Sequence, residues 1–297
     1  MPTTLLEFIE HANEQLKKRI SVDLMRATFF KYRRTLQHLL EYAETKHRVK
    51  TILLNSIDKG FLEKYLYYLR TERNISHNTS VKYMKFLRTI LLPAIKAGQI
   101  KTDPFIGLKL KYKELHREYL TGEEIRAIED VELDNASLIR VRDIFIFACY
   151  TGLAYVDLGQ LGRLNIIQDA DGSWYIRKPR QKTGQESIIP LLPPAYRIMQ
   201  RHSLTGDIRD LKWRVLTNQK MNFQLKTIGE KAGIQKALHM HLARHTFATT
   251  VTLSNGIPIE TVSRMLGHAN IRQTQHYAKI VAEKVKKDMF KLTELYT

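Results

Sequence analysis

Apolar residues recur at helical spacing through most of the first hundred positions. Phe29, Tyr32, Leu36, Leu39, Leu40 and Ala43 trace one stripe, which predicts a long helix from about Met25 to Thr45. Thr4 stands as a cap before LLEFIEHANEQLKKR, Asp58 opens KGFLEKYLYYLR, and Asn78 or Thr79 opens SVKYMKFLRTILLPAIKAG, which Gly98 closes. Four helices with almost no strand signal predict a small helical bundle. Asp103-Pro104 and the charged run KLKYKELHRE then break the pattern. They set a linker at 109–117 between a helical domain, 1–108, and a second domain, 118–297.

The second domain begins with LTGEEIRAIE, a helix with a capping threonine and acidic residues in its first turn. SLIRVRDIFIFACYTG reads as a buried helix. The period then changes. NIIQ, SWYIRKPRQKT and ESIIPL read as strands joined by turns containing Gly172 and Gly184, a three-stranded meander. From Pro193 onward the pattern is helical again. The fold class expected is mainly α with a small β-sheet, a helical domain followed by a mixed α/β domain.

Charge sharpens this picture. The chain carries 48 Lys and Arg against 30 Asp and Glu, a formal charge of +18, which favours a polyanionic partner, with nucleic acid first. Residues 1–117 hold 23 basic and 11 acidic side chains, 12 of the 18 surplus charges, so the bundle reads as a DNA grip. Its candidate contacts are Thr79, Lys82, Lys85 and Arg88 on the fourth helix and Lys31, Arg33 and Arg34 on the second. The single cysteine, Cys149, lies in IFIFACY and reads as a small buried side chain. One cysteine gives neither an internal disulfide nor a Cys-x-x-Cys zinc site. No signal-peptide pattern and no membrane-length apolar run is present, so a cytoplasmic protein without membrane attachment is expected.

The candidate chemistry lies in HMHLARHTFATTVTLSNGIPIETVSRMLGHANIRQTQHYAK. His241 and Arg244 are three apart, so at a helix start they project from one face and can grip a phosphate together. His268, in Leu266-Gly267-His268, follows Arg244 by 24 positions and precedes Tyr277 by nine. Attack on a phosphodiester builds negative charge on the equatorial oxygens, and a planar guanidinium can bond two of them at once. A phenol, with its pKa near ~10, needs a base or neighbouring cations to become a nucleophile near neutral pH. Imidazole can accept a proton, donate to a phosphate or orient a neighbour. His239, His245 and His276 flank these positions and read as structural or solvent-facing.

The ordered boxes His-x-x-Arg, Leu-Gly-His and tyrosine resemble the catalytic segment of the tyrosine recombinase (phage integrase) family. ISHNTSVKYMKFLRTILLPAIKAGQIKTDP resembles the last helix of its core-binding domain and LTGEEI the start of its catalytic domain, so the resemblance covers nearly the whole chain. It implies a site-specific recombinase that cleaves and rejoins DNA through a 3′-phosphotyrosyl link on Tyr277. Arg244, His241 and His268 would surround the scissile phosphate, and Lys182, in RQKTG, would match the β-hairpin lysine that protonates the leaving 5′ oxygen. It further implies no cofactor, a double-stranded crossover site as partner, a homotetramer on DNA from a monomer otherwise, and accessory DNA-bending proteins. Integration, excision and inversion all fit. The chain starts directly at the core-binding bundle, without the arm-site domain of many integrases, which reads as a simple recombinase or a fragment of a longer one.

One position departs from the resemblance. YTGLAYVDLGQL resembles a family box containing Thr-Gly-Leu-Arg, but Ala154 occupies the arginine position. Removing one preorganised donor typically costs about 10²- to 10³-fold in rate. Arg180 is the expected replacement, sharing a strand face with Lys182 if the strand runs on to the turn, with Arg140, Arg142, Arg163 and Lys178 in reserve. The departure points to a mobile-element integrase, and it also leaves open a catalytically weakened or dead DNA-binding relative. A type IB topoisomerase-like enzyme uses the same kinds of residue, and relaxation of DNA without a specific site would mark it. Finally, Val281, Val285, Met289, Leu292 and Tyr296 form one stripe expected to pack on its own domain or on a neighbouring protomer.

Overall fold

A computed structural model describes residues 3–20, 22–46, 52–114 and 117–278. The tail stripe from Val281 to Tyr296 lies outside the described residues. The chain separates into two compact units, Met1–Leu115 and His116–Thr297.

The first unit is built from α1 (Leu5–Lys18), α2 (Arg26–Lys46), α3 (Lys59–Thr71) and α4 (His77–Lys96). Thr4 and Glu7 form a reciprocal capping box on α1, and the Asp58 carboxylate accepts from the Phe61 amide to start α3. Leu36, Leu39, Leu62, Tyr65, Met84 and Leu87 close the core between α2, α3 and α4. α4 differs from expectation. It starts at His77, because Asn78 is not a cap: its side chain bonds both the Lys113 amide and the Lys113 carbonyl, 35 positions away. His77 likewise reaches the Lys111 carbonyl. These bonds hold residues 111–113, expected as linker, against α4.

The second unit opens with α5 (Gly122–Asp130), capped by a Thr121–Glu124 box, and the apolar α6 (Ala136–Thr151). Val141, Ile144, Phe145, Phe147 and Ala148 make α6 the centre of a core that receives α5, α8 (Pro193–Arg201), α9 (Asn218–Lys231) and α10 (Met240–Thr246). Cys149 is fully buried there, and burial pushes its thiol pKa well up. The short α7 (Tyr155–Leu158) leads to the sheet. Strands β1 (Ile166–Gln168), β2 (Trp174–Pro179) and β3 (Glu186–Pro190) are antiparallel in the order β1-β2-β3, the expected meander. Past α10 the backbone widens into a π-helical segment, Phe247–Thr252, followed by α11 (Ile259–Met265) and α12 (Arg272–Ala278). The Thr246 hydroxyl receives the Leu120 amide and the Thr250 hydroxyl donates to the Leu120 carbonyl, so the unit's first residues are tied to α10 and the π segment.

Candidate active site

Two glycines let distant segments close on one point. Gly152 ends α6 with φ 67°, and a Cβ there would stand 2.4 Å from Phe247 Cδ1 and 2.9 Å from Leu266 Cδ2. Gly267 has φ 58°, and its Cβ would stand 2.5 Å from Ser187 Oγ and 3.3 Å from Arg180 Cβ. Only glycine takes both the left-handed backbone and the contact. The end of α6, the Leu-Gly-His turn and the β2–β3 hairpin therefore meet. Thr183 Oγ1 adds a hydrogen bond to the Gly267 carbonyl, 3.0 Å, and the buried Asp157 of α7 accepts from the Gln181 amide, 3.1 Å.

Arg244, on α10, sits in this junction with 3% of its surface exposed. It donates to the Gly152 carbonyl at 2.6 Å and the Leu266 carbonyl at 2.5 Å, and it hydrogen-bonds Tyr277. Burial first and then the charge of Arg180 pull its pKa down to about 10, with Tyr277 and Asp157 acting against the fall, so it stays charged near neutral pH. Tyr277, on α12, is 2% exposed. Its ring lies parallel to that of His268, centroids 6.4 Å apart, and tilted 5.2 Å from that of His245. His268 Nδ1 bonds the buried Thr274 hydroxyl at 2.8 Å, which fixes the ring and leaves Nε2 for another partner. His241 keeps an exposed edge and packs edge-on to His245, centroids 4.3 Å apart.

The hairpin corrects one expectation. β2 ends at Pro179, so the strand does not run on to carry Arg180 and Lys182 on one face. Residues 180–185 turn instead, closed by Arg180 N to the Gln185 carbonyl at 2.9 Å and Gly184 N to the Arg180 carbonyl at 2.8 Å. Arg180 occupies the hairpin neck against Gly267, while Lys182 stands exposed at the tip. The charge of Arg180 bears on Arg244, His241 and His268, and that of Lys182 on His268. Arg180 Nε is buried without a hydrogen-bond partner. The reserves are used elsewhere: Arg142 pairs with Asp143, Arg163 with Asp207 and Asp210, and Lys178 with the Gln160 carbonyl. Arg140 lies 12 positions before Gly152 on α6, about 18 Å along the axis.

The flanking histidines, expected to be structural or solvent-facing, take different places. His239 caps α10, accepting from the Leu242 amide, and His276 is exposed. His245 is 6% exposed and wedged between His241 and Tyr277. Asp157, Thr183 and Thr274 were also passed over. Each acts through one contact with a segment remote from any motif, or through a turn that periodicity does not show. Among the described residues no group of His, Cys, Asp and Glu is arranged to hold a metal ion, and no helix is long and apolar enough to cross a membrane.

The rings of exposed His241, half-buried His268 and buried His245 are neutral near pH 7. Burial first, then neighbouring positive charge, takes the pKa of His241 to about 4 and those of His245 and His268 to about 3. The folded state therefore binds fewer protons than the unfolded chain, whose histidines titrate near ~6.5. Stability is expected to be unaffected by these groups above that pH and to fall as pH drops below it, down toward the folded values. His245 and His268 should each remove about 1.4 kcal/mol per pH unit in that window. A melting temperature that stays level between pH 7 and pH 5 would contradict this.

On α2, Lys31, Arg33 and Arg34 are exposed, as are Lys82, Lys85 and Arg88 on α4. The two helices pack through Tyr32 and Phe86, ring centroids 5.2 Å apart. Lys85 stacks on Tyr112 at 4.1 Å, whereas Arg88 is already paired with Asp103 at 2.8 Å. Thr79 is half-buried and accepts from Ser76 Oγ at 2.9 Å.

Comparison with known proteins agrees with this geometry. The profile of the phage integrase SAM-like domain matches residues 4–113, and that of the phage integrase family matches residues 118–284. Tyrosine recombinase XerC of Listeria monocytogenes is 25% identical over 248 residues, 78% of this chain and 81% of that protein. Tyrosine recombinase XerD of Oceanobacillus iheyensis is 25% identical over 288 residues, 92% and 93% of the two chains. The Tn1549 transposon integrase in complex with a circular intermediate DNA shares the fold with a TM-score of 0.71 at 18% identity, over 98% of this chain and 100% of that one. A lambda integrase dimer bound to a COC′ core site gives 0.72 at 17% identity, over 92% and 95%. The profile for the catalytic half alone spans more than half of the sequence, and on that match the chain belongs to the phage integrase family, as a tyrosine recombinase.

Proposed function

We propose that this recombinase cleaves a specific duplex crossover site with Tyr277, using Arg244 and Arg180 to hold the scissile phosphate. The observation that carries the reading is the pair of guanidiniums, Arg244 against the buried tyrosine and Arg180 acting on Arg244. Arg244 is buried and bonded only to two carbonyls and to Tyr277, Arg180 Nε has no partner, and no carboxylate among the described residues pairs with either. Two adjacent cations whose nearest carboxylate, Asp157, acts on Arg244 without forming an ion pair are costly unless a further anion joins them. A phosphodiester supplies that anion, and its growing charge in the transition state is what fixed donors stabilise.

In this reading Tyr277 Oη forms a bond to phosphorus as the bond to the 5′ oxygen breaks, leaving a 3′-phosphotyrosine and a 5′ hydroxyl. Lys182, at the hairpin tip, gives the 5′ oxygen its proton. His241 and the Thr274-held His268 donate to or accept from the phosphate region. The phosphodiester is conserved in the tyrosyl link, so rejoining by a 5′ hydroxyl needs no external energy source. Two domains clamp the duplex, four protomers assemble on it from monomers, and accessory DNA-bending proteins assist in the cytoplasm. Arg180 fills the gap left by Ala154, which favours an active enzyme over a dead relative, and a mobile-element role follows from the same departure.

The test is a crossover-site duplex nicked beside the cleavage position, so that the short released strand diffuses away. An SDS-resistant adduct whose peptide maps to Tyr277 is expected. An adduct on any other residue, or none with the protein's own site, would remove the reading.

DNA affinity should also fall steeply with salt, because neutralised phosphates release counter-ions. Lys82→Ala and Lys31→Ala should each lower the log–log slope by about 1. Arg88→Ala should change it least, since Asp103 already holds that charge. Equal affinity at low and moderate salt would contradict the basic-face argument.

A further inference from the structure

His245 has no part in the chemistry described so far, yet it touches two residues that do. It lies four positions after His241 on α10, on the same helical face, with ring centroids 4.3 Å apart, and its ring is 5.2 Å from that of Tyr277. It is 6% exposed, and its Nδ1 is buried with no hydrogen-bond partner. Buried polar atoms are nearly always paired, so an unpaired one beside a nucleophile calls for an explanation. Tyr277 shows the complementary need. Arg244 hydrogen-bonds its hydroxyl, and the neighbouring His268 has Nδ1 committed to Thr274. The phenolic hydrogen must leave when the oxygen attacks.

We propose that His245 carries the phenolic proton from Tyr277 to His241, whose exposed edge returns it to solvent. The proposal rests on Tyr277 being the nucleophile. As the Tyr277 oxygen–phosphorus bond forms, its O–H bond breaks and the proton passes to one ring nitrogen of His245. The proton on the other ring nitrogen passes to His241, so His245 remains neutral throughout. During rejoining the path runs backward and protonates the departing Tyr277 oxygen.

A neutral relay suits these surroundings. The groups facing His245 are His241 and Arg244 on α10, His239 at its cap, Arg117 ahead of α5, and Tyr277 on α12. Two are permanent cations, so a lasting imidazolium would be disfavoured while a phenolate would be favoured. The two rings touch without a hydrogen bond between them, and the relay requires the imidazole to turn toward the phenol.

The experiment compares two reactions on the full chain. The first is single-turnover cleavage of the nicked crossover duplex between pH 6 and pH 9. The second is joining of a 5′-hydroxyl strand to a strand ending in 3′-p-nitrophenyl phosphate, which needs the phosphate-holding residues but neither Tyr277 nor its proton. His245→Phe keeps the ring packing and His245→Asn keeps a polar group, and neither can relay a proton. Both should slow cleavage by about 10²-fold near pH 7, with the deficit shrinking as pH rises, and leave joining within a few-fold of the parent. Arg244→Ala should lose both reactions. If one of the two His245 variants melts early, the other decides; if both do, the proposal is overturned, because His245 is then structural. Cleavage at the parental rate, or equal loss of cleavage and joining, also overturns it. A Tyr277→Phe protein that still forms adduct would instead overturn the nucleophile assignment on which the relay rests.

Discussion

Tyr277→Phe is expected to form no covalent DNA adduct, a loss of at least about 10³-fold from the parental rate, while DNA affinity stays within a few-fold. A nucleophile has no partial substitute: without the hydroxyl oxygen no phosphotyrosine can form, whatever the remaining residues contribute. The fold should tolerate the change. The ring is held by its contacts with His245 and His268, and phenylalanine preserves them. What is lost structurally is one hydrogen bond to the charged Arg244, worth about 1.5–3 kcal/mol of stability. SDS gel analysis of the nicked duplex reads the outcome directly. Adduct persisting in this variant and disappearing in Tyr296→Phe would show that the wrong tyrosine had been assigned.

Arg180→Ala is expected to lower cleavage by about 10²- to 10³-fold, the typical consequence of losing one transition-state donor, with little change in DNA binding. The geometry makes the expectation specific. Arg180 sits at the hairpin neck against Gly267, its Nε is buried without a partner, and its charge bears on Arg244, His241 and His268. Arg180→Lys should recover little of the rate, because an ammonium lacks the planar two-pronged contact. Ala154→Arg on that background should restore part of it, since Ala154 immediately precedes α7, two residues after the Gly152 carbonyl that holds Arg244. Near-parental cleavage by Arg180→Ala would remove the arginine from the site. Its removal should also relieve Arg244 of a like charge, so the free energy of folding is expected to change little.

Sequence alone determined the elements whose causes are local. Thr4, Asp58 and Thr121 start helices because a side-chain oxygen a few residues away satisfies an amide, and such a cap is legible in a short window. The meander was legible for the same reason: alternation and two glycine turns are short-range signals. The order of His241, Arg244, His268 and Tyr277 likewise picked out residues that the fold brings to one junction. Tertiary structure decided what depends on meetings between distant segments. β2 ends at Pro179, and the neck of the hairpin with Arg180 packs against Gly267, 87 positions on, where only glycine leaves room. Asn78 left its expected cap because Lys113 offered two backbone hydrogen bonds. His245 looked like a bystander because spacing shows which face of a helix a residue occupies, whereas only packing shows that Tyr277 of another helix lies against that face. Local hydrogen bonds and periodicity are written along the chain, but charge neighbours, orphaned nitrogens and close backbone approaches exist only once the segments are packed together.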